Sequence, residues 1–140
     1  MSKAKVLLIG AAGFIGRMLR EHWADRFDLR LSDVKPIESA EHESLTFDAA
    51  DYGAMRAACE GVETVIHLAA DPRMQAEFYD SLLSRNVIAT YNAFYAAHEA
   101  GCNRIIFASS VNSVLGQEDA TPVPWDAPVY PINVYGATKC

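Results

Sequence analysis

The 140-residue chain has the size of one ordinary domain, and its 51% hydrophobic composition is enough to bury a core. A formal net charge of −6, with no cluster of Lys or Arg, argues against nucleic acid or an anionic membrane as the main partner. No apolar run reaches the roughly 18 residues that span a bilayer, no secretory pattern opens the chain, and Cys59, Cys102 and Cys140 have neither metal-like spacing nor an even count for disulfides, so a cytoplasmic protein without a metal site is expected.

Strands and helices alternate. Lys5 to Ile9 is a nearly continuous apolar run, as in a strand buried on both faces. After a glycine-rich turn, Phe14 to about Asp25 reads as a helix, with Phe14, Ile15, Met18, Leu19 and Trp23 at helical spacing. Leu29 to Ser32 is a second strand ending at Asp33, and Leu45 to Phe47 a short third one. Tyr52 to Cys59 is a helix closed by Gly61, and Thr64 to Leu68 a fourth strand. A long helix from about Met74 to Ala100 has Phe78, Leu82, Val87, Tyr91 and Phe94 on its apolar side and Gly101 as its stop. Arg104 to Ala108 is a fifth strand. Pro122, Pro124, Pro128 and Pro131 then punctuate a loop, and Asn133 to Cys140 begins another helix. This alternation predicts an α/β fold, a doubly wound, Rossmann-like parallel sheet, with residues 1–140 as one nucleotide-binding domain. The fold is truncated after the fifth strand and the start of the following helix, so that strand is expected to be an open sheet edge.

Gly10-Ala11-Ala12-Gly13-Phe14-Ile15-Gly16 lies where a strand turns into a helix. Gly10 permits the tight turn, Gly13 lets the backbone approach a pyrophosphate, and Gly16 lets the helix pack against the sheet. The helix start offers free N–H groups and partial positive charge. Asp33 ends the second strand 17 positions after Gly16. A carboxylate there accepts hydrogen bonds from the adenosine ribose and repels a 2′-phosphate, which selects NAD over NADP; Lys35 nearby softens the preference.

The Gly-x-x-Gly-x-x-Gly spacing resembles the extended short-chain dehydrogenases, the NAD-dependent epimerase/dehydratase family. Five further segments match in order. Phe47-Asp48-Ala49-Ala50-Asp51 resembles the segment that meets the adenine, and Ile66-His67-Leu68-Ala69-Ala70 the strand end lying along the cofactor. Asn86-Val87-Ile88-Ala89-Thr90-Tyr91-Asn92 is similar to the family helix Asn-Val-x-Gly-Thr-x-Asn, with Ala89 in place of glycine. Phe107-Ala108-Ser109-Ser110 and Tyr135-Gly136-Ala137-Thr138-Lys139 resemble the strand with the catalytic hydroxyl and the Tyr-x-x-x-Lys signature. The resemblance implies catalytic roles for Ser110, Tyr135 and Lys139. It implies NAD contacts at Gly10, Gly13, Phe14, Ile15, Gly16, Asp33, Asp48, Ala49, Leu68, Ala69, Ala70, Asn86, Ser109, Tyr135 and Lys139. Within the family the chain looks most like the uronate dehydrogenases, which oxidise a sugar acid at C1. Val111 between Ser110 and Asn112, and Ser113 where that group has histidine, depart from their pattern. The resemblance covers the N-terminal, NAD-binding half of such an enzyme, without its substrate-binding part. The 140-residue chain alone is therefore expected to have little or no activity, and a homo-oligomer is expected.

Tyr135 and Lys139, four apart on a helix, share one face. A phenol, with an ordinary pKa of about 10, is a poor base at neutral pH, and a nearby ammonium favours its phenolate. Tyr135 then takes the proton of a substrate hydroxyl while hydride passes from the carbon to the nicotinamide. Ser110 orients that hydroxyl; Ser109 competes for the role. Asn86 serves either the cofactor and its waters or the structure. His67 at a strand end reads as structural, and His22, His42 and His98 as surface residues. Arg73 meets either a substrate carboxylate or solvent. A sugar or sugar-acid dehydrogenase is the first functional reading. A nucleotide-sugar epimerase or dehydratase with tightly held NAD is the second, although Val111-Asn112 lacks the Asp-Glu common in dehydratases. An NAD-binding fragment without turnover is the third.

Overall fold

Strand order in the computed structural model, which describes residues 3–39, 41–117 and 122–140, is β3-β2-β1-β4-β5, with every neighbour parallel. The strands are β1 (Lys5–Ile9), β2 (Asp28–Asp33), β3 (Glu43–Thr46), β4 (Thr64–His67) and β5 (Arg104–Phe107). Side chains alternate across β1. Val6 and Leu8 join Leu29, Leu31 and Ile66 under Leu19 and Trp23 of helix α1 (Phe14–Trp23) on one face. Leu7 and Ile9 join Val65 under α2 (Tyr52–Cys59) and α3 (Ala89–Glu99) on the other, through Met55, Cys59, Ala93, Ala96 and Ala97. The doubly wound expectation is met, and β5 is an edge strand with Ile106 turned outward.

β1 pairs with both β2 and β4, so successive crossovers diverge at its C-terminal end. Such a switch point opens a crevice beyond the carboxyl ends of the strands. Among the described residues no helix is long and apolar enough to cross a membrane.

The long helix expected from Met74 to Ala100 differs. Residues 74–77 are not helical, and Phe78–Ile88 is a π-helix that runs directly into α3. The N–H groups of Leu82 and Ala89 donate to the carbonyls five residues back, on Glu77 and Ser84. The wider turn alters which residues face inward. Leu82 is buried as expected, whereas Val87, Tyr91 and Phe94 are exposed. The buried side is built instead from Ser81, Asn86, Ala89, Asn92 and the small residues Ala93, Ala96 and Ala97. Alanines let α3 approach the sheet closely, a fit that a pattern of large apolar residues does not capture. The third strand begins two residues early, at Glu43, because Arg30 on β2 binds the Glu43 carboxylate across the pair. The final helix, α4, is the single turn Val134–Ala137.

Candidate active site

At the end of β1 the chain turns through Gly10, whose φ of +89° suits glycine. The N–H groups of Gly10 and Ala11 both donate to the Ser32 carbonyl, at 2.9 and 3.0 Å, fixing the turn to β2. A Cβ on Gly10 would stand 2.7 Å from the Ala69 nitrogen, and one on Gly16 would stand 2.4 Å from the Gly10 oxygen. Only glycine lets these three segments close on one another. Gly13 precedes α1 without a side-chain cap, and the first turn holds no acid, so its N–H groups are open to an anion.

A cleft opens above this turn, lined by Gly10, Gly13, Asp33, Asp48, Ala49, Leu68, Ala69, Ala70 and Arg85 among others. Eight residues expected to meet a cofactor thus lie together. Gly16 is buried beneath the turn, and Phe14 and Ile15 stand exposed at the start of α1. Asp33 is held ready: its carboxylate accepts from the N–H groups of Ala12 and Lys35, both at 3.0 Å. Asp48 accepts from the Ala50 N–H at 2.9 Å, and Asn92 on α3 anchors the same loop by donating to the carbonyls of Ala49 and Ala50. The steric cradle, the open N–H groups and the carboxylate at the strand end fit a dinucleotide with an unphosphorylated ribose.

The expected catalytic residues come from two segments tied together. Beyond β5, Ser110 caps a short 3₁₀ turn (Val111–Ser113). Its Oγ accepts from the backbone N–H and the Nδ2 of Asn112, at 3.2 and 3.3 Å, which leaves its own hydrogen free to donate. The hydrogen of Ser109 is already used, donated to the Lys139 carbonyl at 2.5 Å. Of the two serines, only Ser110 keeps a hydroxyl hydrogen without an acceptor among the described residues. Asn133 caps α4 by accepting from the Gly136 N–H at 2.7 Å and donates to the Asn112 Oδ1 at 2.9 Å. A Cβ on Gly136 would lie 2.4 Å from the Asn112 carbonyl oxygen, so α4 packs directly on the serine loop.

Tyr135 and Lys139 are both buried. The Lys139 Nζ lies over the Phe107 ring, and among the described residues no carboxylate pairs with it. Burial pushes its ammonium down to about 8. His67 is fully buried, stacks on Phe107 and is hydrogen-bonded to Thr90 Oγ1 through Nε2 at 3.2 Å, while its Nδ1 has no partner among the described residues. Desolvation, and secondarily the charge of Lys139, lower it to about 4, so the ring is neutral. The structural reading of His67 agrees with this environment.

Asn86 joins the two halves. Its Oδ1 accepts from the Asp71 N–H at 2.8 Å, and its Nδ2 donates to the Asp71 carbonyl and to Thr138 Oγ1, at 3.2 and 3.0 Å. The side chain thereby binds the strip after Ala70, a cleft wall, to the helix of Tyr135. Arg73 turns its guanidinium onto Asp71, with Nε 2.9 Å from Oδ1 and Nη2 2.5 Å from Oδ2. That pairing, with a hydrogen bond from Ser81, holds the buried Asp71 carboxyl well below the usual carboxylate range. The Arg73 side chain remains largely exposed while it pairs with Asp71.

Arg85 lines this cleft, and Asp71, Phe107, Asn112 and Asn133 brace the residues around it, without having been assigned from the sequence. Asn133 stands at an N-cap position before the Tyr135 segment and was findable on that ground. Asp71 pairs with its near neighbour Arg73 but meets Ser81 and Asn86 only through the fold, and Phe107 meets His67 and Lys139 across the chain, so neither carries a local pattern. Among the described residues no group of three or more His, Cys, Asp or Glu could hold a metal ion.

A model of the NAD dependent epimerase/dehydratase family matches residues 6–140. The uronate dehydrogenase of Pseudomonas putida is 34% identical over 140 residues, covering 97% of this chain and 52% of the relative. An NAD-dependent glucose-6-phosphate dehydrogenase of Haloferax volcanii is 39% identical over 126 residues, 84% of this chain and 48% of the relative. The crystal structure of uronate dehydrogenase from Agrobacterium tumefaciens superposes with a TM-score of 0.83 at 31% identity, over 100% of this chain and 53% of that one. The chain spans about half the length of the curated relatives it matches.

Proposed function

This chain belongs to the NAD dependent epimerase/dehydratase family, and from that premise we propose that it is the NAD-binding half of an oxidoreductase acting on a sugar or sugar-acid hydroxyl, uronate-dehydrogenase-like in substrate. The observation that carries this reading is a single hydrogen-bonded unit. Ser110, Asn112, Asn133 and the turn bearing Tyr135 and Lys139 form one block, and Asn86 ties that block to the wall of the cleft.

Gly10, Gly13 and the start of α1 would hold the pyrophosphate, and Asp33 would take the ribose hydroxyls. When bound, the nicotinamide supplies the hydride acceptor. The Ser110 Oγ donates its free hydrogen to the substrate oxygen, which leaves that hydroxyl's own proton directed to the Tyr135 Oη. Tyr135 accepts it as general base. The Lys139 ammonium, charged at neutral pH, attracts the negative charge that Tyr135 carries before the transfer. Relatives named as uronate dehydrogenases support a sugar acid as the substrate. Free Cys59, Cys102 and Cys140 support a reducing, cytoplasmic setting. The outward aromatic side of α3, with Tyr91, Phe94 and Tyr95, supports a homo-oligomer, which sedimentation velocity tests.

The deciding assay offers the full-length protein NAD or NADP with uronic acids, neutral sugars and nucleotide sugars. Net NAD reduction with a uronic acid is expected, with NAD favoured over NADP by at least about tenfold, or 1.4 kcal/mol. Equal use of both cofactors would remove Asp33 from the ribose. Conversion of a nucleotide sugar without net reduction would move the protein to the epimerase branch.

A further inference from the structure

Arg85 is the one cation among the residues lining the cofactor cleft, where it stands with the carboxylates of Asp33 and Asp48. It reaches that cleft from the π-helix that leads into α3, which covers the sheet face opposite to α1. Gly10 and Gly13, in the turn that leads into α1, line the same cleft. The remaining polar features of that turn are neutral N–H groups.

Arg85 differs from the other arginines in its place. Arg30, Arg56 and Arg73 are each paired with a carboxylate and Arg17 donates to the Ala12 carbonyl, while Arg20, Arg26 and Arg104, unpaired like Arg85 among the described residues, do not line this cleft. Arg85 has no ion pair or hydrogen bond among the described residues, although it shares the cleft with two acids. Its backbone is also fixed, because the next residue, Asn86, is buried and bonded to both Asp71 and Thr138. An unengaged guanidinium on a fixed backbone position, lining the same cleft as a phosphate-type turn, is suited to a forked hydrogen bond with phosphate oxygens.

We propose that Arg85 closes on the pyrophosphate of the cofactor from the face of the sheet opposite to the glycine turn, so that the diphosphate is gripped from both sides. This inference rests on the reading of the cleft as a dinucleotide site. It assigns to the π-helix a direct part in binding: the segment that places Asn86 against Asp71 also delivers Arg85 to the cleft.

Titrations of the full-length protein with ADP-ribose and with adenosine test it, using the parent, Arg85→Gln and Arg85→Lys. Arg85→Gln is expected to raise the Kd for ADP-ribose about tenfold, equivalent to 1.4 kcal/mol, and to flatten its salt dependence. Adenosine, which has no phosphate, is expected to bind both proteins within a factor of about two, and Arg85→Lys is expected to keep part of the ADP-ribose affinity. An unchanged ADP-ribose Kd in Arg85→Gln overturns the inference and leaves the dinucleotide reading intact. An equal loss for adenosine also overturns it, by moving the guanidinium to the adenine. Failure of the parent to bind ADP-ribose overturns the dinucleotide reading itself. Arg85 is exposed, and an unchanged thermal midpoint in Arg85→Gln excludes misfolding as the cause of any loss.

Discussion

The ammonium nitrogen of Lys139 stands 4.5 Å from the centroid of the Phe107 ring, and that ring stacks on the His67 imidazole with centroids 5.9 Å apart. The lysine proposed to assist Tyr135 is thus seated on an aromatic face. Burial lowers it from 10.5 to about 8. A lysine whose folded value lies below its unfolded value is charged in both states under pH 8, where folding bears the full desolvation cost. The unfolded chain then binds more protons between about 8 and 10.5, so this contribution improves as pH rises through that window. Lys139→Met is therefore expected to be more stable than the parent at pH 7 by about 1–2 kcal/mol. That is less than the roughly 3 kcal/mol the shift corresponds to, because methionine also forgoes the attraction to Phe107. Urea unfolding at pH 7, 8, 9 and 10 checks this: the advantage should shrink as pH rises, and a constant difference would show that Lys139 is not desolvated.

His67 makes the opposite end of the pH range sensitive. Its ordinary value of 6.5 falls to about 4 in the folded protein, chiefly through desolvation. The unfolded state takes up the proton first on acidification, so stability falls between about 6.5 and 4. His67→Leu removes that dependence. The variant should lose stability at pH 7 by about 1–2 kcal/mol through altered packing, yet narrow the gap to the parent at pH 4.5. Parallel acid-denaturation curves for the two proteins would exclude His67 as the source.

Tyr135→Phe keeps the buried ring and deletes the proton acceptor. In the full-length protein turnover should fall about 10²- to 10⁴-fold, with the Kd for NAD held within about threefold. Activity within a few-fold of the parent would assign the base elsewhere.

Gly136 tests the block that joins the serine loop to the tyrosine turn. A methyl group there would stand 2.4 Å from the Asn112 carbonyl oxygen, which is backbone and cannot rotate away. Gly136→Ala should cost about 1–3 kcal/mol of stability and lower kcat by displacing Ser110 from Tyr135, while affinity for ADP-ribose, bound at the other end of the cleft, stays close to that of the parent. Unchanged kcat would mean that the contact carries no positional information.

The parts of this molecule that a reader of the sequence recovers are those whose cause is local. Strand β1 follows from four adjacent apolar residues, and the phosphate turn follows from glycines at fixed spacing before a helix. Asp33 follows from its place at a strand end. The π-helix is different. Within it Asn86 meets Asp71 and Thr138 at once, partners 15 and 52 positions away, and no periodicity within 78–88 encodes that. The aromatic residues of α3 misled for a related reason: large apolar side chains signal burial, but close packing against α2 selects alanine. Asp71, Arg73 and Ser81 form a network from three unremarkable loop and helix residues. Which of Ser109 and Ser110 has a hydroxyl hydrogen to give is likewise a matter of hydrogen-bond geometry, which two adjacent serines in a sequence do not reveal.

The hydrogen bond from the Ala12 N–H to the Asp33 carboxylate couples two properties usually altered one at a time. Ala12 belongs to the glycine turn, and Asp33 is the residue proposed to discriminate at the ribose. Replacing Asp33 with a small or basic residue, the obvious route to an NADP-using variant, also withdraws the acceptor that steadies the turn from within. Such a redesign should begin with weaker binding of both coenzymes. It would recover only when a second substitution, one that gives the Ala12 N–H a new acceptor, accompanies the first. Coenzyme exchange in this scaffold is therefore a two-mutation problem, with a poorly functioning single mutant on the path.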